Sequence, residues 1–136
     1  MQGTPQQQIE WMMEQYRSGQ ADAAACGRGL DAVEAYFHQK ASELDRSGAP
    51  EEDLAEATQA FQLFMDSVAH LRAHLAGDAG ALDEGLSLAA QGQLAVEASL
   101  EANAERRKEL RQRLDMLRAA GAALVSETES LGRLEG

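Results

Sequence analysis

The chain has 136 residues, of which 44% are hydrophobic and only 4% aromatic, and its formal net charge is −11. This length fits one domain, and the negative charge excludes a protein that binds nucleic acid over its whole surface, since phosphate binding needs a basic face. The two prolines, the abundant alanine and the lack of alternating β-branched or aromatic residues predict an all-α protein.

The single cysteine, Cys26, excludes an internal disulfide and favours a reducing compartment. The N-terminal residues lack the basic and apolar segments of a secretory signal. No apolar run approaches the ~20 residues that a helix needs to span a membrane. We therefore expect a soluble, cytoplasmic protein that does not bind a membrane.

The first predicted helix covers residues 5–47. Thr4 is a residue type that caps helices, and Pro5 suits the first helical position because its missing N–H group is harmless there. The glycines and alanines of residues 18–29 allow two interpretations. Either the helix breaks or kinks near residues 18–22, or it stays unbroken and its small side chains let a neighbouring helix approach.

An apolar cluster that contains Trp11, Met12, Met13 and Tyr16 lies on this first helix. Trp11 and Met13 cannot both lie on one narrow helical stripe, so one of them faces outward. The cluster either packs against the third helix in the core or forms part of a protein interface, where Trp and Met are enriched. Trp11 is therefore a candidate interaction residue.

Two further helices follow, each after a turn that contains glycine. Residues 46–50 form the clearest predicted turn, and the helix after it covers residues 51–76 with two of the three phenylalanines on its apolar stripe. The third predicted helix covers residues 79–133. Glycine destabilises a helix interior, so Gly85 and Gly92 on one side predict close packing there against the second helix.

A ladder of residues with alternating spacings of three and four runs along the third helix. Its mean spacing of 3.5 residues is the period of a left-handed coiled coil. No glycine or proline marks a turn in residues 103–108, which favours a continuous helix over one that breaks there and folds back. The ladder consists of Leu82, Leu86, Ala89, Gln93, Val96, Leu100, Asn103, Arg107, Leu110, Leu114, Leu117, Gly121, Leu124, Thr128 and Leu131.

The prediction for the fold is therefore one domain, residues 1–136, that forms an antiparallel bundle of three to four helices with a long C-terminal coiled-coil-like helix. A continuous helix would leave the C-terminal leucines in need of a partner, and a homodimer is the simplest source of one. The leucines predicted to form this interface are Leu110, Leu114, Leu117 and Leu124.

Residues 105–118 hold six basic and three acidic side chains, which reverses the sign of the rest of the chain. They form either a solvated helix face in which Glu105 and Glu109 pair with neighbouring arginines, or a docking surface for an acidic protein or for the acidic part of a second copy. Nucleic acid is disfavoured because no aromatic residues alternate with the basic ones to stack on bases. The residues predicted to orient the chain on an acidic partner are Arg106, Arg107, Lys108 and Arg111.

Asp66, His70 and His74 recur at intervals of four residues, and His38 is the third histidine. Two histidines four residues apart on a helix can bind a transition metal with a carboxylate as third ligand. They lie off the apolar stripe, however, and no Glu-x-x-His motif repeats as in di-iron bundles. A surface pair without metal is the preferred interpretation, and no cofactor is predicted. Cys26 lies on a stripe position, which predicts a buried, inert thiol.

No phosphate-binding loop, nucleophile elbow, Cys-x-x-Cys motif or calcium loop is present in the sequence, so no enzymatic activity is predicted. The predicted function is a non-catalytic protein–protein interaction module, an adaptor, scaffold or chaperone-like protein that acts through coiled-coil and helix-in-groove packing. The alternatives are a metal-binding helical bundle and an acidic inhibitor or accessory subunit that binds a basic surface.

In overall form, a small acidic helical chain with a long coiled-coil-like helix over residues 79–133, the protein resembles the flagellar and type III export chaperones. The resemblance covers architecture. It implies a bacterial protein that holds another protein for export.

Overall fold

The computed structural model describes the backbone of residues 3–135 and the side chains of residues 3–122. Over that part of the chain the secondary structure consists of four α-helices without a strand, so the predicted all-α helical bundle is confirmed. The helices are α1 (Pro5–Arg17), α2 (Ala23–Arg46), α3 (Glu51–Leu75) and α4 (Ala81–Glu135).

Local capping explains where α1 and α2 begin. The Thr4 hydroxyl accepts a hydrogen bond from the Gln7 N–H group at 3.2 Å, and the Gln7 side chain accepts one from the Thr4 N–H group at 3.0 Å. This reciprocal pair satisfies two backbone donors that the first turn leaves free. Between the helices Gly19 has a φ of 80°, which favours glycine, and Asp22 then caps α2 by accepting from Ala25 N–H at 2.8 Å. The chain therefore turns between α1 and α2.

Two more glycines end the next helices, and α4 then continues without a turn. Gly48 and Gly77 have φ values of 72° and 119°, backbone conformations that side chains with a Cβ atom rarely adopt. Helix α4 is unbroken for 55 residues, so the chain does not fold back at residues 103–108. Within the described residues, no helix combines the length and the apolar character that crossing a membrane requires.

The chain divides into two compact units, residues 1–99 and residues 100–136, which we call unit 1 and unit 2. Unit 1 holds α1, α2, α3 and the first part of α4, and its core centres on Phe64, which is fully buried. The Phe64 ring stacks on the Phe37 ring at a centroid distance of 4.4 Å. The buried residues of this core are Ile9, Met13, Cys26, Leu30, Val33, Phe37, Phe64, Val68, Leu71 and Ala89.

Within unit 1, α3 and α4 pack closely because small residues face bulky ones. A Cβ atom added to Gly92 would lie 2.9 Å from Phe64 Cδ2, and one added to Gly85 would lie 2.6 Å from Leu71 Cδ2. The buried Ser67 hydroxyl donates a hydrogen bond to the Gly85 carbonyl oxygen at 2.5 Å. The predicted close packing at Gly85 and Gly92 is therefore confirmed.

Candidate functional site

The leucines of unit 2 form an exposed apolar stripe. Leu110, Leu114 and Leu117 have 53%, 51% and 68% of their surface exposed, and Leu100 has 64% exposed. Their spacing places them on one side of α4, since residues three or four apart are neighbours on a helix. We call Leu110, Leu114 and Leu117 the leucine stripe. The fourth predicted interface residue, Leu124, lies outside the described side chains.

Basic residues lie next to the leucine stripe in the sequence. Arg107, Lys108 and Arg111 are exposed, whereas Arg106 is half-buried. The sequence also allowed a salt-bridged face, but Glu105 and Glu109 form no ion pair within residues 3–122. The described part of unit 2 therefore presents leucines and cations to solvent together.

Trp11 lies on the outer side of α1, with 50% of its surface exposed, while Met13 is buried. Trp11 lines a cavity of about 430 Å³ in unit 1 together with Met12 and Tyr36. Sequence reasoning missed Tyr36, which is 46% exposed and precedes the buried Phe37. Its signal was available, because successive residues of a helix lie about 100° apart around the axis, which places Tyr36 off the centre of the buried stripe that contains Phe37.

The histidines of α3 make local contacts with backbone oxygens. His70 Nδ1 lies 2.8 Å from the Asp66 carbonyl oxygen, and His74 Nδ1 lies 3.2 Å from the Asp78 carbonyl oxygen. The Asp66 carboxylate accepts a hydrogen bond from Gln62 at 2.9 Å. Among the residues that the structure describes, no three His, Cys, Asp or Glu side chains are grouped to hold a metal ion.

His38 and Cys26 both lie on α2, but His38 is exposed and Cys26 is buried. His38 Nε2 is 3.7 Å from Glu34 Oε1, at the surface. Cys26 has 3% of its surface exposed, and its Sγ donates to the Met12 carbonyl oxygen at 3.5 Å. Burial raises the pKa of the Cys26 thiol, and the nearby Asp22 charge raises it further. The thiol is therefore protonated at neutral pH, and a protonated thiol is a poor nucleophile.

Of these features, the leucine stripe with its cations is the one that offers a continuous surface to another molecule. The Trp11 cavity is a separate feature of unit 1. No protein family, curated protein or solved structure gives a significant match to this chain.

Proposed function

We propose that the protein is a non-catalytic interaction module that presents the leucine stripe of α4 to a helix of a protein partner. The observation that carries this proposal is the exposure of Leu110, Leu114 and Leu117, each more than half exposed on one stripe. Single exposed leucines are ordinary on protein surfaces. Three of them in coiled-coil register form the seam that knobs-into-holes packing against a second helix would bury.

The physical gain from such pairing follows from the apolar area that it removes from water. Full burial of a leucine side chain contributes about 1.5–3 kcal/mol. Three leucines that are already partly covered contribute less than three times that figure, and the loss of rotational and translational freedom on association opposes them. A seam of this length therefore supports a reversible complex of adaptor, scaffold or export-chaperone type, rather than a permanent one.

The stripe is tested by comparing two glutamate variants, Leu114→Glu on the stripe and Met116→Glu beside it. Met116 is 71% exposed, so both substitutions add one charge to the same exposed helix. Affinity capture from the source cells, together with solution mass by light scattering, reports the partner and any self-association. We expect a complex that survives Met116→Glu and is lost with Leu114→Glu, while circular dichroism shows unchanged folding. A complex unaffected by Leu114→Glu contradicts the proposal.

A second candidate is an accessory or inhibitory role for the acidic surface of unit 1. Residues 1–99 hold 16 acidic and 5 basic side chains. Arg17, Lys40 and Arg72 are already paired with carboxylates inside this unit, which leaves the remaining acids to dominate its surface. Binding to a basic protein that persists in the Leu114→Glu variant and falls steeply with salt would favour this role.

A further inference from the structure

The coiled-coil register of unit 2 assigns each side chain a place relative to the leucine stripe. Heptad positions are lettered a to g, with a and d on the seam and e and g on its two flanks. The ladder places Leu114 at a and Leu110 and Leu117 at d. The residues that follow each d position and precede each a position are then the flanks of the seam.

Over residues 100–122, the acids and all the basic residues except Lys108 separate by these positions. The exposed Arg111 and Arg118 occupy e positions, and the exposed Arg113 occupies a g position. The exposed Arg107 occupies an a position on the seam itself. The acids of residues 100–122 lie at b, c and f, away from the seam. They are Glu101, Glu105, Glu109 and Asp115.

We infer that the partner of the leucine stripe is an acidic amphipathic helix of a different protein, apolar at its a and d positions and carrying Glu or Asp on its flanks. This inference rests on the proposed function and names the chemistry of the partner. Charged residues at e and g set partner choice in coiled coils, because they meet the flanks of the opposite helix. A carboxylate opposite Arg107 would also fix the register, as a polar residue on a seam does.

A second copy of the chain is a poor occupant of this seam. In a parallel pair a g residue meets the next e residue of its partner, so Arg113 would lie opposite Arg118. In an antiparallel pair e meets e and g meets g, so pairing of this segment with its own copy again brings arginines together. Arg107 would in addition face an arginine-flanked seam. Like charges directly opposite one another destabilise a helix pair.

An anionic membrane or nucleic acid also fits this surface less well than an acidic helix. Either of these partners carries negative charge over an extended surface, so the net charge of −11 opposes its approach more strongly than that of a single acidic helix. Residues 100–122 contain no aromatic side chain that would stack on bases or anchor at a bilayer surface. Arg107 interrupts the apolar stripe, which shortens the face available to lipid, whereas an acidic residue of a helix partner can pair with it.

The test uses the full chain and two synthetic helical peptides of equal length. Both carry leucine at a and d, and one carries glutamate and the other lysine at e and g. Fluorescence anisotropy of the labelled peptides measures binding at about 0.05 M and about 0.5 M salt, concentrations that change the screening length severalfold. We expect the glutamate peptide to bind at least about tenfold more tightly, with an advantage that shrinks at high salt.

Two matched variants of the chain separate the flanks from net charge. Arg111→Glu with Arg113→Glu changes two flank positions and lowers the net charge by four. Lys108→Glu with Gln112→Glu and Ala119→Glu also lowers it by four, but at exposed positions b and f away from the seam. We expect the flank variant to lose the glutamate peptide and gain the lysine peptide, and the outer variant to keep the original preference.

Each remaining outcome overturns the inference in a recognisable way. Equal binding of both peptides, lost with Leu114→Glu, leaves helix pairing intact but removes the acidic partner. A full-chain dimer by light scattering that Leu114→Glu dissociates, with neither peptide bound, makes a second copy the occupant. If the chain binds DNA or vesicles rich in phosphatidylserine but neither peptide, the ligand of this surface is a polyanion and not a helix. If neither peptide binds and the chain does not self-associate, both the inference and the proposed function fail.

Discussion

One ladder of regularly spaced residues runs through both units, and its residues are buried or partly buried in one unit and mostly exposed in the other. In unit 1 its member Ala89 is buried, and a Cβ atom added to Gly85 or Gly92 beside it would clash with side chains of α3. In unit 2 the same spacing carries Leu114 and Leu117, which are exposed. Spacing alone therefore does not determine whether a helix face is buried. The ladder leucines Leu82 and Leu86 pack partly against the core of unit 1, next to the small residues that α3 approaches closely, whereas Leu114 and Leu117 do not.

The largest expected contrast is in the cost of removing an apolar side chain. Phe64→Ala should destabilise the protein by about 3–5 kcal/mol, because it opens a cavity in a fully buried core. Leu117→Ala should change the free energy of unfolding by less than about 0.5 kcal/mol, as exposed substitutions usually do. Urea unfolding followed by circular dichroism measures both. A cost for Leu117→Ala that approaches that of Phe64→Ala would mean that the stripe is already buried.

Thiol labelling should separate the two units by roughly a hundredfold in rate, because a buried thiol reacts only when the structure opens. Native Cys26 should react slowly with Ellman's reagent, and a Leu117→Cys substitution in a Cys26→Ser background should react fast. Because the pKa of the Cys26 thiol is raised, its thiolate forms at higher pH than that of an exposed cysteine. The labelling rate of Cys26 should therefore rise over a higher pH range than that of an exposed cysteine.

The same shift has a consequence for stability. The pKa of the Cys26 thiol is higher in the folded than in the unfolded state. The contribution of the thiol to the stability of the fold is therefore complete below the unfolded pKa and is lost as pH rises through the folded pKa. We therefore expect Cys26→Ser to reduce the loss of stability at alkaline pH. If the variant loses as much stability as the native protein, another group causes that loss. Fast native labelling of Cys26 would show that α1 and α2 do not cover it.

A smaller contrast comes from adding one methyl group to a helical glycine in each unit. Gly92→Ala should cost about 1–2 kcal/mol, because the new Cβ would meet the buried Phe64 ring and strain the core. Gly121→Ala should stabilise the protein by up to about 1 kcal/mol, since no atom outside its own helix lies within 4 Å and alanine is the better helix former. Thermal unfolding measures both, and a stabilising Gly92→Ala would contradict the close approach of α3 and α4.

The smallest expected effect concerns charge. Arg72 of α3 pairs with Asp31 of α2 at 2.5 Å and also with Glu34, at a site where its side chain remains 40% exposed. Arg72→Gln should cost at most about 1 kcal/mol at low salt and less at high salt, because exposed ion pairs are weak and screened. Arg111→Gln should leave the unfolding free energy unchanged. A loss from Arg111→Gln as large as from Arg72→Gln would show that Arg111 has a partner within the fold.

Local chemistry made much of the fold predictable from the sequence. The Thr4 cap with Pro5 at the first helical position depends on neighbours in the chain, and the small face of Gly85 and Gly92 depends on one adjacent helix. Both features appear in the structure as the sequence predicts. The boundary between α1 and α2 was less certain, because glycine and alanine suit both a break and a close contact. Its outcome depends on the Asp22 cap, which competes with helix continuation.

The candidate site was predictable in composition but not in exposure. Whether Leu114 is buried depends on what lies opposite it in three dimensions, and periodicity contains no information about that. The choice between Trp11 and Met13 was open for the same reason, because both are apolar and adjacent to the stripe. Arg113 and Arg118 are predictable as flanking residues, since the ladder alone places them beside the seam.

The continuity of α4 has a kinetic consequence for any encounter with a partner. Starting a helix in water is unfavourable, because the first turn fixes several backbone angles for a single hydrogen bond, whereas extending an existing helix adds one bond for each residue ordered. Helix α4 begins at Ala81, inside the packed core of unit 1, and extends through the leucine stripe without interruption. The stripe thus needs no nucleation event of its own, and an incoming helix would pair with a helix that is already formed.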